Sequence, residues 1–182
     1  MGALIGALIG AVFFYIAPPP YRARATVNVD FHLEQAWPQN TDREQFYYLE
    51  RETRKLEEIA LSDSVLNLVA SRVSGVTVQQ LREQKLQLSQ PGNGGWHFFA
   101  DDGNAQKAEA LASSWAAAFA REVQSQVVDS SSGLEQYITA SPTQVGGLAA
   151  HRTVSLGIYL LVGAIVFLAL CVVGILFFDF KI

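Results

Sequence analysis

The chain has 182 residues, a formal net charge of -4, and hydrophobic side chains at half of its positions. That length allows one modest domain with its own core, not two. The mildly acidic balance gives no reason to expect nucleic acid or an anionic lipid surface as a partner. The charges are segregated: residues 2–17 and 153–178 carry no Lys, Arg, Asp or Glu, and every charged residue except Asp179 and Lys181 falls between them.

A hydrocarbon core of about 30 Å asks for about 20 apolar helical residues at about 1.5 Å each. The first apolar run, residues 1–17, reaches only about 24 Å, so as transmembrane helix 1 it has to thin the bilayer or borrow Pro18 to Tyr21 as interfacial chain. A signal peptide is the competing reading. It is disfavoured by the lack of a basic segment after Met1 and of a small-x-small cleavage site near Tyr15. Gly2, Gly6 and Gly10 recur every fourth residue and form one smooth stripe, the pattern that lets membrane helices approach backbone to backbone. These three are the candidate helix-packing and oligomerisation residues, facing either the chain's own second helix or another subunit.

Pro18, Pro19 and Pro20 stop the helix, because each lacks an N–H and fixes its φ. From Tyr21 to Leu33 the residues alternate, with Ala23, Ala25, Val27, Val29 and Phe31 on one face, which predicts a half-buried strand. Thr41 with Glu44 makes a capping-box pattern for a helix through about Ala60, with Phe46, Leu49, Thr53, Leu56 and Ile59 or Ala60 inward and charges outward. Ser62 caps a second helix to about Arg72, burying Val65, Leu66, Leu68 and Val69 and closed by Gly75. Thr77 opens a short third helix over 78–83. Residues 85–89 and 96–100 read as a hairpin across the glycine-rich 91–95, both strands joining the first. An alanine-rich helix over about 105–127 follows, broken by Ser130 to Gly133. A last strand is expected over 136–140, and a link through Pro142 leads to transmembrane helix 2 over 153–178. The fold class expected for 18–150 is therefore α+β, a small mixed sheet covered by helices.

No catalytic set emerges. His32, His97 and His151 lie far apart, without the spacing of a zinc pair. Glu50, Glu52, Glu57 and Glu58 interleave with Arg51, Arg54 and Lys55, the pattern of a solvated, salt-bridged helix face. No phosphate-binding loop occurs, the membrane segments hold no ionisable group for conduction, and Cys171, the only cysteine, forms no intrachain disulfide. A non-enzymatic protein without metal or cofactor is expected. Two crossings put both termini on one side. Arg22, Arg24 and Arg152 lie on the domain side against Lys181 in the 179–182 tail, but a loop this long translocates whatever its charge, so charge does not fix the orientation.

The order of features resembles the polysaccharide co-polymerases, the chain-length determinant family of bacterial surface-polysaccharide assembly. The local likenesses are Tyr21-Arg-Ala-Arg-Ala-Thr-Val-Asn-Val after the first apolar helix, Ile59-Ala-Leu-Ser-Asp-Ser-Val-Leu-Asn-Leu-Val followed by Val76-Thr-Val-Gln-Gln-Leu-Arg, and Asp101-Asp-Gly-Asn-Ala-Gln-Lys-Ala-Glu-Ala-Leu-Ala-Ser-Ser-Trp. The resemblance covers nearly the whole chain. It implies a two-pass scaffold of the bacterial inner membrane, with cytoplasmic termini and a periplasmic or extracellular domain. Such a scaffold forms a homo-oligomeric ring that acts with a polymerase or exporter. This chain departs from the family in its shorter long helix, in having only Pro142 before the second membrane helix, and in having no kinase module after Ile182. An accessory subunit of a larger membrane complex, such as an energy-transducing one, is the alternative.

Overall fold

The computed structural model describes residues 2–17, 20–36, 42–90, 95–128, 137–143 and 148–179. The chain divides into two compact units, Met1–Tyr21 with Arg152–Ile182, and Arg22–His151.

The first unit is a pair of apolar helices, α1 (Gly2–Ile16) and α7 (Leu156–Asp179). Neither has an acidic residue in its first turn or a basic one in its last. Within α7, Leu156–Gly174 is long and apolar enough to cross a membrane, and α1, at 15 residues, falls short of that length. At the base of the pair the chain is clasped: the Thr153 N–H and hydroxyl both donate to the Pro20 carbonyl at 3.0 Å.

The second unit is α+β. After β1 (Tyr21–Asp30) come a single turn α2 (Leu33–Ala36), then α3 (Asp42–Ala60), α4 (Asp63–Arg72) and α5 (Val78–Gln80), which runs on as a π-turn over Leu81–Lys85. The strands β2 (Leu86–Ser89) and β3 (Gly95–Asp102), the long α6 (Ala105–Val128), β4 (Thr139–Pro142) and β5 (His151–Arg152) complete it. The five strands form an antiparallel sheet, not the mixed one expected, in the order β2-β3-β1-β4 with β5 also on β1. Parallel pairing needs a crossover that returns the next strand in the same sense. Here the chain comes back from the helices into the β2–β3 hairpin, and β3 lies antiparallel to β1. β2 consequently meets β1 only through β3 and ends as an edge strand.

The alternation in β1 is realised as read: Ala23, Ala25, Val27 and Val29 are buried. The strand stops before Phe31, at a His32 held in the left-handed region, φ 42°. In β3, Trp96, Phe98 and Ala100 point inward, and Leu88 pairs with Phe98 across the hairpin. These side chains meet α6, where Phe98 lies edge-on to Trp115 (4.7 Å between centroids), Phe119 sits at 5.1 Å from Phe98, and Trp96 stacks on Phe119. Alanines at 108, 112, 116, 118 and 120 leave α6 room to approach the sheet. Ser62 caps α4 by accepting from the Val65 N–H, and Thr77 with Gln80 forms a reciprocal capping box. Helix α4 ends at an extended Val73, whose N–H donates to the Val69 carbonyl, and Gly75, expected to close it, takes φ 73° two residues further on, in the turn that follows.

The inward face of α3 differs from expectation. Phe46 is exposed, while Tyr48, Glu52, Leu56, Ile59 and Ala60 are buried. Glu52 is therefore not part of a solvated face. Its Oε1 accepts from Arg51 Nε at 2.7 Å and Lys55 Nζ at 2.8 Å, which compensates the buried charge. The carbonyl of Ala60, at the helix end, accepts from the Trp115 indole N–H at 2.7 Å. Leu68, expected inside α4, is half-buried. The capping pair Thr41 and Glu44, the 91–94 connection, the Ser130 to Gly133 break and the tail beyond Asp179 fall outside the described residues or side chains.

Candidate functional site

The three sequence-predicted glycines lie on α1, and the structure sets two of them hard against α7. Gly6, Gly10 and Phe14 are the buried positions of α1, four residues apart, so they form one line down a 3.6-residue helix. A Cβ at Gly6 would stand 2.5 Å from the Gly163 carbonyl oxygen and 2.6 Å from Phe167 Cβ. At Gly10 it would overlap the Tyr159 carbonyl. Gly2 is looser, with the Phe167 ring at 3.5 Å, an ordinary contact.

The reciprocal residue is Gly163 on α7, where a Cβ would overlap the Gly6 carbonyl and come within 2.9 Å of Gly10 Cα. Sequence reasoning missed it because Gly163 has no glycine four residues before or after it. The neighbour Ala164, which is also small, was the only hint. The helices thus cross where Gly6, Gly10 and Gly163 expose bare backbone, and an added methyl at any of the three meets backbone that cannot swing aside.

Above the crossing lies an aromatic cluster with one cation. Phe14 packs edge-on to Tyr15 and to Tyr159, each at 5.4 Å. The Arg152 guanidinium lies 4.2 Å over the Phe14 ring and 5.6 Å from the Tyr21 ring, and its Nε donates to the Tyr21 hydroxyl at 3.1 Å. Stacking on aromatic faces is a habit of the planar guanidinium that lysine does not share. Between the helices, on the flank of the crossing, runs an apolar groove of about 390 Å³.

In the second unit the polar side chains pair instead of converging. Arg22 forks onto Asp101 through Nε (2.8 Å) and Nη2 (2.7 Å) with Phe99 beneath it, and the hydrogen bonds to that carboxylate raise its pKa further. Burial alone would push the Asp102 carboxyl up. The Lys85 ammonium at 2.6 Å and the Asn104 N–H, with Lys107 nearby, reverse this and hold it below the usual carboxylate value. His97 is lowered, by burial first and by Arg24 second, and its Nδ1 lies 3.1 Å from the Thr26 hydroxyl.

His32 Nδ1 meets the Tyr137 carbonyl, and His151 is exposed. The three histidines share no site. Among the described residues, no three His, Cys, Asp or Glu side chains are grouped to hold a metal. Cys171 is exposed on α7. No protein-family model and no curated protein matches the chain.

Proposed function

We propose that the chain is a two-pass membrane scaffold of bacterial surface-polysaccharide assembly, with α1 and α7 both crossing the inner membrane. In this reading both termini are cytoplasmic, the α+β domain is periplasmic or extracellular, and homo-oligomers act beside a polymerase or exporter without performing chemistry themselves. The observation that carries the membrane part is the glycine crossing. Two helices with no charged side chain before Asp179 meet through Gly6, Gly10 and Gly163 while leaving Leu4, Leu8, Ile16, Leu161 and Leu170 exposed. Water penalises such a surface and lipid does not. A helix of 15 residues crosses by local thinning of the bilayer, at a modest cost per ångström of mismatch.

The scaffold part draws on the family resemblance and on the paired, non-convergent polar groups of the domain. The test is affinity purification from native membranes in mild detergent. Homo-oligomers carrying a polysaccharide polymerase or exporter are expected. A strictly monomeric protein would sink the scaffold reading. The accessory-subunit reading draws on α6, only 24 residues long, which provides no tall extension to gauge a polymer. Co-purifying energy-transducing subunits, with no polymerase, would decide for it.

A further inference from the structure

The chain's net charge gives no reason to expect an anionic lipid, but the membrane hairpin places one cation where such a lipid would meet it. Arg152 uses its Nε on Tyr21 and its ring-like plane on Phe14. Its two terminal amino groups carry no hydrogen bond or ion pair among the described residues. A half-buried guanidinium stacked on a membrane-helix aromatic and left with free donors is a ready bidentate seat for a phosphate.

Phe14 connects that seat to the groove through Tyr159. Its ring packs on Tyr159, and Tyr159 is part of the groove wall. From there the wall descends α7 through Ile158, Val162, Val166 and Leu170, faced by Ile9 and Phe13 of α1. Ile158 to Leu170 is about 18 Å at ~1.5 Å per residue, close to one leaflet of a ~30 Å hydrocarbon core. The groove's volume of about 390 Å³ lies within the roughly 300–1,000 Å³ of ordinary ligand clefts. The groove exists because the glycine crossing draws the backbones together at one level and lets the bulkier side chains splay on the flank.

We propose that this groove, with Arg152 at its mouth, is a binding site for one anionic phospholipid, its phosphate on the guanidinium and an acyl chain between α1 and α7. The inference rests on the two-pass reading. Charge complementarity selects the occupant: a neutral partner helix would fill the apolar wall but leave the Arg152 donors unused.

The test uses the full chain in a mild non-ionic detergent, titrated with phosphatidylglycerol or phosphatidylcholine of equal chain length, the bound lipid being counted by native mass spectrometry. One phosphatidylglycerol should bind about fivefold more tightly than phosphatidylcholine, the size of effect of one basic residue at an anionic surface. Arg152→Gln should erase the preference, and Arg152→Lys, which keeps the charge but loses the stacking and the bidentate fork, should retain only a minor part of it. Val162→Trp, which fills the groove at an exposed position, should weaken both lipids, and it decides the matter if Arg152→Gln fails to fold. Equal binding of the two lipids, a preference surviving Arg152→Gln, unchanged binding by Val162→Trp, or displacement of the lipid by inorganic phosphate at similar concentration would each overturn the proposal. Alkaline extraction of native membranes separates this from the reading beneath it. A wild-type chain released to the soluble fraction fails the two-pass reading and the lipid site with it, whereas a retained chain without lipid preference fails the lipid site alone.

Discussion

The two units of this chain are held together by opposite means. In the α+β domain, Trp96, Phe98, Trp115 and Phe119 pack ring against ring between β3 and α6, and stability comes from removing large apolar areas from water. In the helix pair the contact is made where side chains are missing, at Gly6, Gly10 and Gly163. On the two-pass reading proposed above, a hydrocarbon solvent gives no reward for burying leucine, and what remains is close van der Waals approach of the backbones. The same principle of tight packing thus selects the largest residues in one unit and the smallest in the other.

That contrast can be broken at both ends. Phe98→Ala should have the largest effect, destabilising the domain by about 3–5 kcal/mol, read as a lowered urea midpoint of tryptophan fluorescence on the full chain in detergent. The mirror-image change, Gly10→Leu, adds bulk where the domain loses it and should cost the hairpin about 1–3 kcal/mol by overpacking. A cross-link reports it. A Cβ at Gly2 lies 3.8 Å from Cys171 Sγ, so Gly2→Cys should form a disulfide with Cys171 on oxidation, and adding Gly10→Leu should abolish it.

Electrostatic changes should be smaller and confined to the domain. Lys85→Met removes the ammonium that compensates the buried Asp102 and should cost about 1–3 kcal/mol at neutral pH. Because the folded carboxyl is held below its ordinary value, the pair's contribution is present above the ordinary carboxylate range and lost as the pH falls through the depressed value. The difference between wild type and variant should therefore shrink on acidification, and a pH-independent difference would contradict the assignment. The smallest effect expected is that of Arg24→Gln, which relieves the second cause of the lowered His97 and should move its NMR titration upward. His97 protects stability above its unfolded pKa near 6.5, and that protection erodes as the pH falls towards its depressed folded value.

Most of the domain was legible because its signals are local. The β1 alternation and the Ser62 and Thr77 caps each act within a few residues. The face of α3 was not. The Phe46-Leu49-Thr53-Leu56 and Tyr48-Glu52-Leu56-Ile59 stripes both have helical spacing, and only the first avoids burying a carboxylate. The fold takes the other because Arg51 and Lys55 flank Glu52 and accompany it inward, a compensation that hydropathy does not register. The edge position of β2 depends on long-range pairing and left no trace in residues 86–89. At the candidate site, the α1 stripe was readable from its fourfold repeat. Gly163 and the Arg152 cluster were hidden because each is completed only by residues about 130 or more positions away.

The clasp between Pro20 and Thr153 has a consequence for how such a chain can change. It keeps the two ends of the intervening chain within hydrogen-bonding distance of each other. Any segment inserted between these two points therefore begins and ends side by side. A different domain whose own ends emerge side by side could be exchanged at these two points without disturbing the glycine crossing, as tolerated domain insertions generally require.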